Sequence, residues 1–199
     1  MISVVIGTFG TAEWRDRGRS VAESLKNQTV QPTSIHHIHG NTLAEARNRG
    51  AQDAEGSWLL FLDADDSLHP KFIENMESTI RSLNGGNFLI RPAIKLSDET
   101  GDPYVLPIKN IFEQNFMIIG TAVRKDVFLA AGMFREMPVL EDWDLWLRCF
   151  INGSEYASSP GSVYYITVNE GSRNKAPAHV LTQVAQTLRR EHWKHRRRR

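Results

Sequence analysis

Five consecutive apolar residues, Trp58-Leu59-Leu60-Phe61-Leu62, run without a polar break and stop at Asp63-Ala64-Asp65-Asp66. A strand with one wet face alternates polar and apolar residues. A continuous apolar run fits a strand covered on both faces, as in a parallel sheet flanked by helices. The surrounding chain agrees. Ile2 to Ile6 is a second apolar, β-branched strand, broken by Gly7-Thr8-Phe9-Gly10. A helix is expected from about Ala12 to Asn27, weakened by Gly18, followed by a short strand over Ser34 to His39. Thr42 to Asp53 is expected to be helical up to Gly56. Pro70 then opens a helix whose Phe72, Ile73, Met76, Ile80 and Leu83 recur every three or four residues. Three strand–helix alternations predict an α/β sheet with right-handed crossovers.

The second half is less regular. Strands are expected over Phe88–Leu96, Phe116–Val123 and Ser162–Val168. A Trp-rich helix is expected over Glu141–Ile151, and a last helix from Ala178 to about Lys194. At 199 residues and 41% hydrophobic content, the chain suits one globular domain. No apolar run reaches the ~18–20 residues of a membrane-spanning helix, and the N-terminus reads as a first strand rather than a signal peptide. A single cysteine, Cys149, excludes an internal disulfide framework and a cysteine-rich zinc site, so the expected address is a reducing compartment, the cytoplasm. Residues 189–199 hold seven Lys/Arg against one Glu, whereas the remainder holds 17 basic against 22 acidic residues. A mildly acidic body with a basic tail does not suit a general nucleic-acid binder. The tail reads either as a solvated end or as a contact for an anionic surface.

Asp63–Asp66 lie where ligands of open α/β sheets gather, beyond the carboxyl end of a strand. Residues two apart on extended chain face one way, so Asp63 and Asp65 can converge. Paired carboxylates repel, and a hard divalent cation relieves the repulsion. The competing reading is a loop in which Asp66 or Ser67 caps the helix beginning near Pro70.

Four ordered blocks carry a resemblance: Ser3 to Gly10; Ala46-Arg47-Asn48-Arg49-Gly50-Ala51 with Gly56 and Phe61 to Asp66; Gly132-Met133-Phe134; and Glu141-Asp142-Trp143-Asp144-Leu145-Trp146-Leu147-Arg148. Together they resemble the family 2 glycosyltransferases. The resemblance implies a GT-A fold, a Rossmann-like three-layer α/β/α domain with a mostly parallel central sheet and an irregular acceptor-side half. Its expected extent is residues 1–188, with 1–96 binding the nucleotide sugar and 97–188 facing the acceptor. It implies transfer of one sugar from a nucleotide-diphosphate sugar, linked to UDP, GDP or dTDP, to an acceptor hydroxyl, with inversion. Thr8 and Phe9 would line the base pocket, and Arg47 would approach the nucleotide or its phosphates. Asp63 would contact ribose or the metal shell, and Asp65 would hold Mn²⁺ or Mg²⁺ on the diphosphate. Asp142, beside Glu141, would be the general base. At a helix N-terminus both acids are expected to stay ionised, with helix capping as the alternative use. Helical spacing makes Trp143 and Trp146 core residues, with a sugar platform as the alternative.

The chain departs from the family pattern in two places. No acid stands at the end of the second strand, Ile35-His36-His37-Ile38-His39-Gly40-Asn41, and Asn169 replaces a late metal-binding histidine, with His179 as a substitute. These departures motivate a rival reading, a nucleotide-sugar or polyanion binding module without catalysis. A dehydrogenase would need GxGxxG after the first strand, which is absent. A protein, a glycan or a modified nucleic acid fits as acceptor, and a homodimer stays open.

Overall fold

The computed structural model describes residues 1–168, 176–192 and 194–195. Its strands are β1 (Ile2–Phe9), β2 (Ser34–Gly40), β3 (Trp58–Phe61), β4 (Ser67–Leu68), β5 (Phe88–Leu96), β6 (Ala122–Arg124) and β7 (Glu155–Ile166). Its helices are α1 (Ala12–Ser24), α2 (Leu43–Asp53), α3 (Phe72–Ser82), α4 (Lys125–Ala130), α5 (Glu141–Ile151) and α6 (Ala178–His192). The seven strands form one sheet in the order β2-β1-β3-β6-β5-β7-β4. The β1–β2, β1–β3 and β5–β7 ladders are parallel; β3–β6, β5–β6 and β4–β7 are antiparallel. The parallel character read from the first half thus holds there, and β6 makes the whole sheet mixed.

The apolar run lies in the middle of the sheet. Leu59, Leu60 and Phe61 are fully buried, and Phe61 packs edge-on against Phe134 with centroids 4.9 Å apart. Burial on both faces is what the absence of alternation requires. On α2, Thr42 Oγ1 accepts the Glu45 N–H at 3.1 Å while Glu45 accepts the Asn41 N–H at 2.8 Å, a near capping box. Gly18 is tolerated inside α1 because α1 presses on the sheet there. A Cβ at Gly18 would lie 2.3 Å from His37 Nε2 and 2.9 Å from Thr8 Cγ2.

Several readings of the sequence are corrected. Of Phe116–Val123, only the last two residues enter a strand, β6, because residues 116–121 form an irregular wall with no ladder partner. Their apolar character reflects burial of Phe116, Met117 and Ile119 rather than strand pairing. The competing reading, in which Asp66 or Ser67 caps the helix, is not met either. Lys71 precedes α3 without a side-chain cap, Ser67 belongs to β4, and Asp66 turns inward. The β7 strand begins seven residues earlier than the Ser162 expected, and its register with β5 shifts between Pro92 and Ala93, where proline has no N–H to give the ladder. Trp143 and Trp146 are buried in the core, 3% and 0% exposed, which removes the sugar-platform alternative.

Candidate active site

The carboxyl ends of β1 and β3, the N-terminus of α5 and α6 enclose a cavity of about 410 Å³. Gly7, Thr8 and Phe9 line it from the end of β1, Asp63 to Asp66 from the end of β3, and Glu141 and Asp142 from α5. Arg47 reaches it from α2, and Leu181 from α6. Every residue expected to bind the donor or act in catalysis therefore lines one space.

Their individual settings differ. Phe9 is 40% exposed, so its ring is a face open to a ligand rather than a core contact. Thr8 is buried, and its Oγ1 lies 3.1 Å from His37 Nε2 and 3.0 Å from His39 Nδ1. The two histidines thus share a threonine partner. Burial first, then the charges of Arg19 and His39, hold His37 below the usual imidazole range.

Arg47 is neither a surface ion pair nor an open anion receptor. It is 2% exposed, donates to Glu141 Oε1 at 2.8 Å and to Asp63 Oδ1, and lies over the Phe134 ring. Burial opposes its charge, but Asp63 and Glu141 more than compensate and push its pKa up. The guanidinium thereby joins the carboxyl end of β3 to the first turn of α5. Gly7 makes room for it: a Cβ there would lie 2.7 Å from Arg47 Cγ.

The acidic turn is closed by the Asp66 N–H on the Asp63 carbonyl at 3.1 Å. Buried Tyr164 receives the Asp63 N–H at 3.1 Å, and Asp66 Oδ1 accepts the Thr167 N–H at 2.8 Å. Burial, then the Asp63 and Asp65 charges, push Asp66 up to about 7 against the Thr167 and Tyr164 hydrogen bonds. A carboxyl cluster that already suppresses its own ionisation suits a hard dication with oxygen ligands.

At α5, Asp142 Oδ1 accepts the Trp143 N–H at 2.7 Å and Oδ2 accepts from Asn115 Nδ2 at 3.2 Å. The expectation that the helix terminus keeps both acids ionised is corrected for Asp142. Burial, then neighbouring Glu141, push it up to about 7 despite the Trp143 N–H, Arg47 and Asn115. A helix terminus contributes ~0.3–1 kcal/mol, less than desolvating a carboxylate beside a second acid. The residue before α5, Leu140, has φ 63° and no side-chain cap, so the acids enter the cavity from a left-handed turn.

His179 is exposed and does not line the cavity, and Asn169 lies outside the described residues. Asp144, Glu191 and His192 bring donor atoms within 4.8 Å of one another, outside the cavity. Arg148 already holds Asp144 Oδ2 at 2.7 Å within α5 and Arg135, from the segment before α5, approaches Oδ1 at 3.5 Å, so Asp144 is already engaged in ion pairs with arginines. Sequence reasoning missed Asn115, Leu140, Tyr164 and Thr167; none carries a local motif, and each reaches the site through the chain path.

The carboxyl edge of this α/β sheet gathers an acidic turn and a second acidic pair around one cleft. The glycosyl transferase family 2 model matches residues 13–135, and the chain belongs to this family. It is 32% identical over 158 residues to a PGL/p-HBAD biosynthesis glycosyltransferase of Mycobacterium bovis, covering 75% of this chain and 58% of that protein. It is 28% identical over 177 residues to the amylovoran biosynthesis glycosyltransferase AmsB of Erwinia amylovora, covering 79% and 59% respectively. The chain spans about half the length of the curated relatives it matches. Among solved structures, S. aureus TarS 1–349 in complex with UDP-GlcNAc superposes with a TM-score of 0.65 at 16% identity, over 94% of this chain and 66% of that one. The fold is GT-A.

Proposed function

We propose that this protein transfers one sugar from a nucleotide-diphosphate sugar to an acceptor hydroxyl with inversion. The observation that carries this reading is the single cavity lined at once by Asp63–Asp66 and by Asp142. Residues 1–96 form the donor half and 97–188 the acceptor half. Phe9 offers its open ring to the nucleobase, and Thr8 lines the base end beside it. The UDP-GlcNAc carried by the TarS structure supports a nucleotide-sugar donor.

In the reaction, a lone pair of the acceptor oxygen forms the new bond to the anomeric carbon. The bond from that carbon to the diphosphate oxygen breaks, and its electrons leave with the nucleoside diphosphate. Asp142 takes the acceptor proton. A pKa near 7 suits that role better than that of an ordinary carboxylate, because a base works best close to the operating pH. A single displacement needs no protein nucleophile and inverts the sugar carbon. Asp65, with Asp63, would hold Mn²⁺ or Mg²⁺, which when bound stabilises negative charge on the diphosphate. Arg47 aligns Asp63 and Glu141, acting on the site through these two acids. Among the described residues no helix is long and apolar enough to cross a membrane. Buried, unpaired Cys149 suits a cytoplasmic setting.

The test is a panel of UDP-, GDP- and dTDP-linked sugars with and without Mn²⁺, followed by thermal shift and by release of the nucleoside diphosphate. A cognate donor at about 100 times its Kd stabilises the fold by about 2.7 kcal/mol. Stabilisation without any nucleotide release, even with a broad acceptor set, would instead establish a binding module.

A further inference from the structure

Resting on the reading of Asp142 as base, we propose that Asn115 is a positioning residue that aims the Asp142 carboxylate into the cavity and keeps it available as an anion. The orientation of the Asn115 amide is set by its neighbours. Met117 N–H donates to Asn115 Oδ1 at 3.1 Å, so the oxygen is committed and the Nδ2 amide faces Asp142 Oδ2 at 3.2 Å. With Oδ1 of Asp142 held by the Trp143 N–H, the two bonds fix the carboxylate plane.

The segment carrying Asn115 is itself anchored from two sides. Buried Arg91 on β5 donates to the Leu106 carbonyl at 3.0 Å and the Phe116 carbonyl at 3.3 Å, and its guanidinium lies 5.0 Å from the Phe116 ring centroid and 5.7 Å from that of Tyr156. Trp143 Nε1 donates to the Ile111 carbonyl at 2.7 Å. An irregular wall is thus held at the residue following Asn115 and four residues before it, which gives the amide little freedom to turn away.

The groups around Asp142 explain why a neutral donor is needed there. Glu141 precedes it on α5 and disfavours its charge. Arg47 from α2 favours it, but that guanidinium is shared with Glu141 and Asp63. Arg189 from α6 lies over the neighbouring Trp143 ring, 5.7 Å from its centroid. Asn115 is the side chain that hydrogen-bonds Asp142 directly without bringing another charge. A donor to the ionised form stabilises the anion.

The experiment compares parent, Asn115→Asp, Asn115→Ala and Asp142→Asn. Nucleoside diphosphate release from UDP-GlcNAc with Mn²⁺ is followed from pH 5 to 9, with water as acceptor. Asn115→Asp keeps the acceptor for Met117 and so preserves the wall, but replaces the donor by a like charge. Its kcat midpoint moves up by about 1 pH unit or more, kcat at pH 7 falls about tenfold, and KM for the donor stays within about twofold. Asn115→Ala shifts the midpoint in the same direction by less. Profiles coincident with the parent, beside an inactive Asp142→Asn protein, overturn the Asn115 role and leave the base intact. An active Asp142→Asn protein overturns the base reading instead. A second readout does not need turnover: the stability lost on Asn115→Ala, measured by denaturant unfolding, grows from pH 5 to pH 8 in the parent and is pH-independent in the Asp142→Asn background. Equal pH dependence in both backgrounds would also overturn the proposal.

Discussion

Asp142 shows how residue-scale chemistry couples activity to stability. Its folded pKa, about 7, stands above the ordinary 3.8. For a raised carboxyl, the associated stability is fully present below about pH 4 and is lost as pH rises through about 7. Asp142→Asn cannot ionise and escapes that loss. Relative to the parent, the variant should gain in unfolding free energy between pH 4 and pH 8, by up to about 4 kcal/mol for a shift of this size, measured by urea titration at each pH. Its sugar transfer should fall by about 10²–10⁴ while donor-induced thermal stabilisation survives. In the parent, kcat should rise with pH and level off above about 7, since only the anion accepts a proton. Arg47 supplies the converse case. Removing it strands Asp63 and Glu141 without their shared cation, so Arg47→Ala should cost about 3–5 kcal/mol by the same assay. Arg47→Lys should recover only part of that, because one ammonium cannot serve both carboxylates through separate forked donors.

At the scale of elements, α1 offers a test in which two effects oppose each other. Ala is a better helix former than Gly by about 1 kcal/mol, which alone would favour Gly18→Ala. The added Cβ would lie 2.3 Å from His37 Nε2, and overpacking of this kind costs about 1–3 kcal/mol. Gly18→Ala should therefore be neutral to destabilising in the parent and stabilising in a His37→Ala background, as read by thermal melts of the four proteins. The limits of α5, Glu141–Ile151, were legible in sequence because the acidic first turn and the apolar stripe coincide with its ends. The Phe116–Val123 stretch was not: an apolar run that lines a cavity looks, residue by residue, like one that pairs in a sheet. Two-residue β4 carries no periodic signal at all, and its existence depends on β7 lying alongside.

For the molecule as a whole, the sheet turns the β1 and β3 carboxyl ends toward the same opening that α5 enters from the other half. Donor binding and metal should therefore be linked. Chelation with EDTA should abolish the thermal shift produced by the cognate nucleotide sugar, and Mn²⁺ should restore it. In Asp65→Ala the shift should stay small at Mn²⁺ concentrations that saturate the parent, as differential scanning fluorimetry would show. A full donor shift in EDTA would place the diphosphate on protein groups alone.

Residue order alone determined the buried strand ending in acids, the alternation of the first half, the α5 helix and the family blocks, because each rests on contacts within a few residues or on periodicity. The tertiary structure decided what those groups do to one another. Arg47 lies 16 residues from Asp63 and 94 from Glu141, and Asn115 lies 27 from Asp142. Interactions over such separations depend on how loops return across the sheet, and no local pattern encodes them. Charge is legible in a sequence; the desolvation and hydrogen bonding that set a proton's affinity for Asp142 exist only once the chain has closed around it.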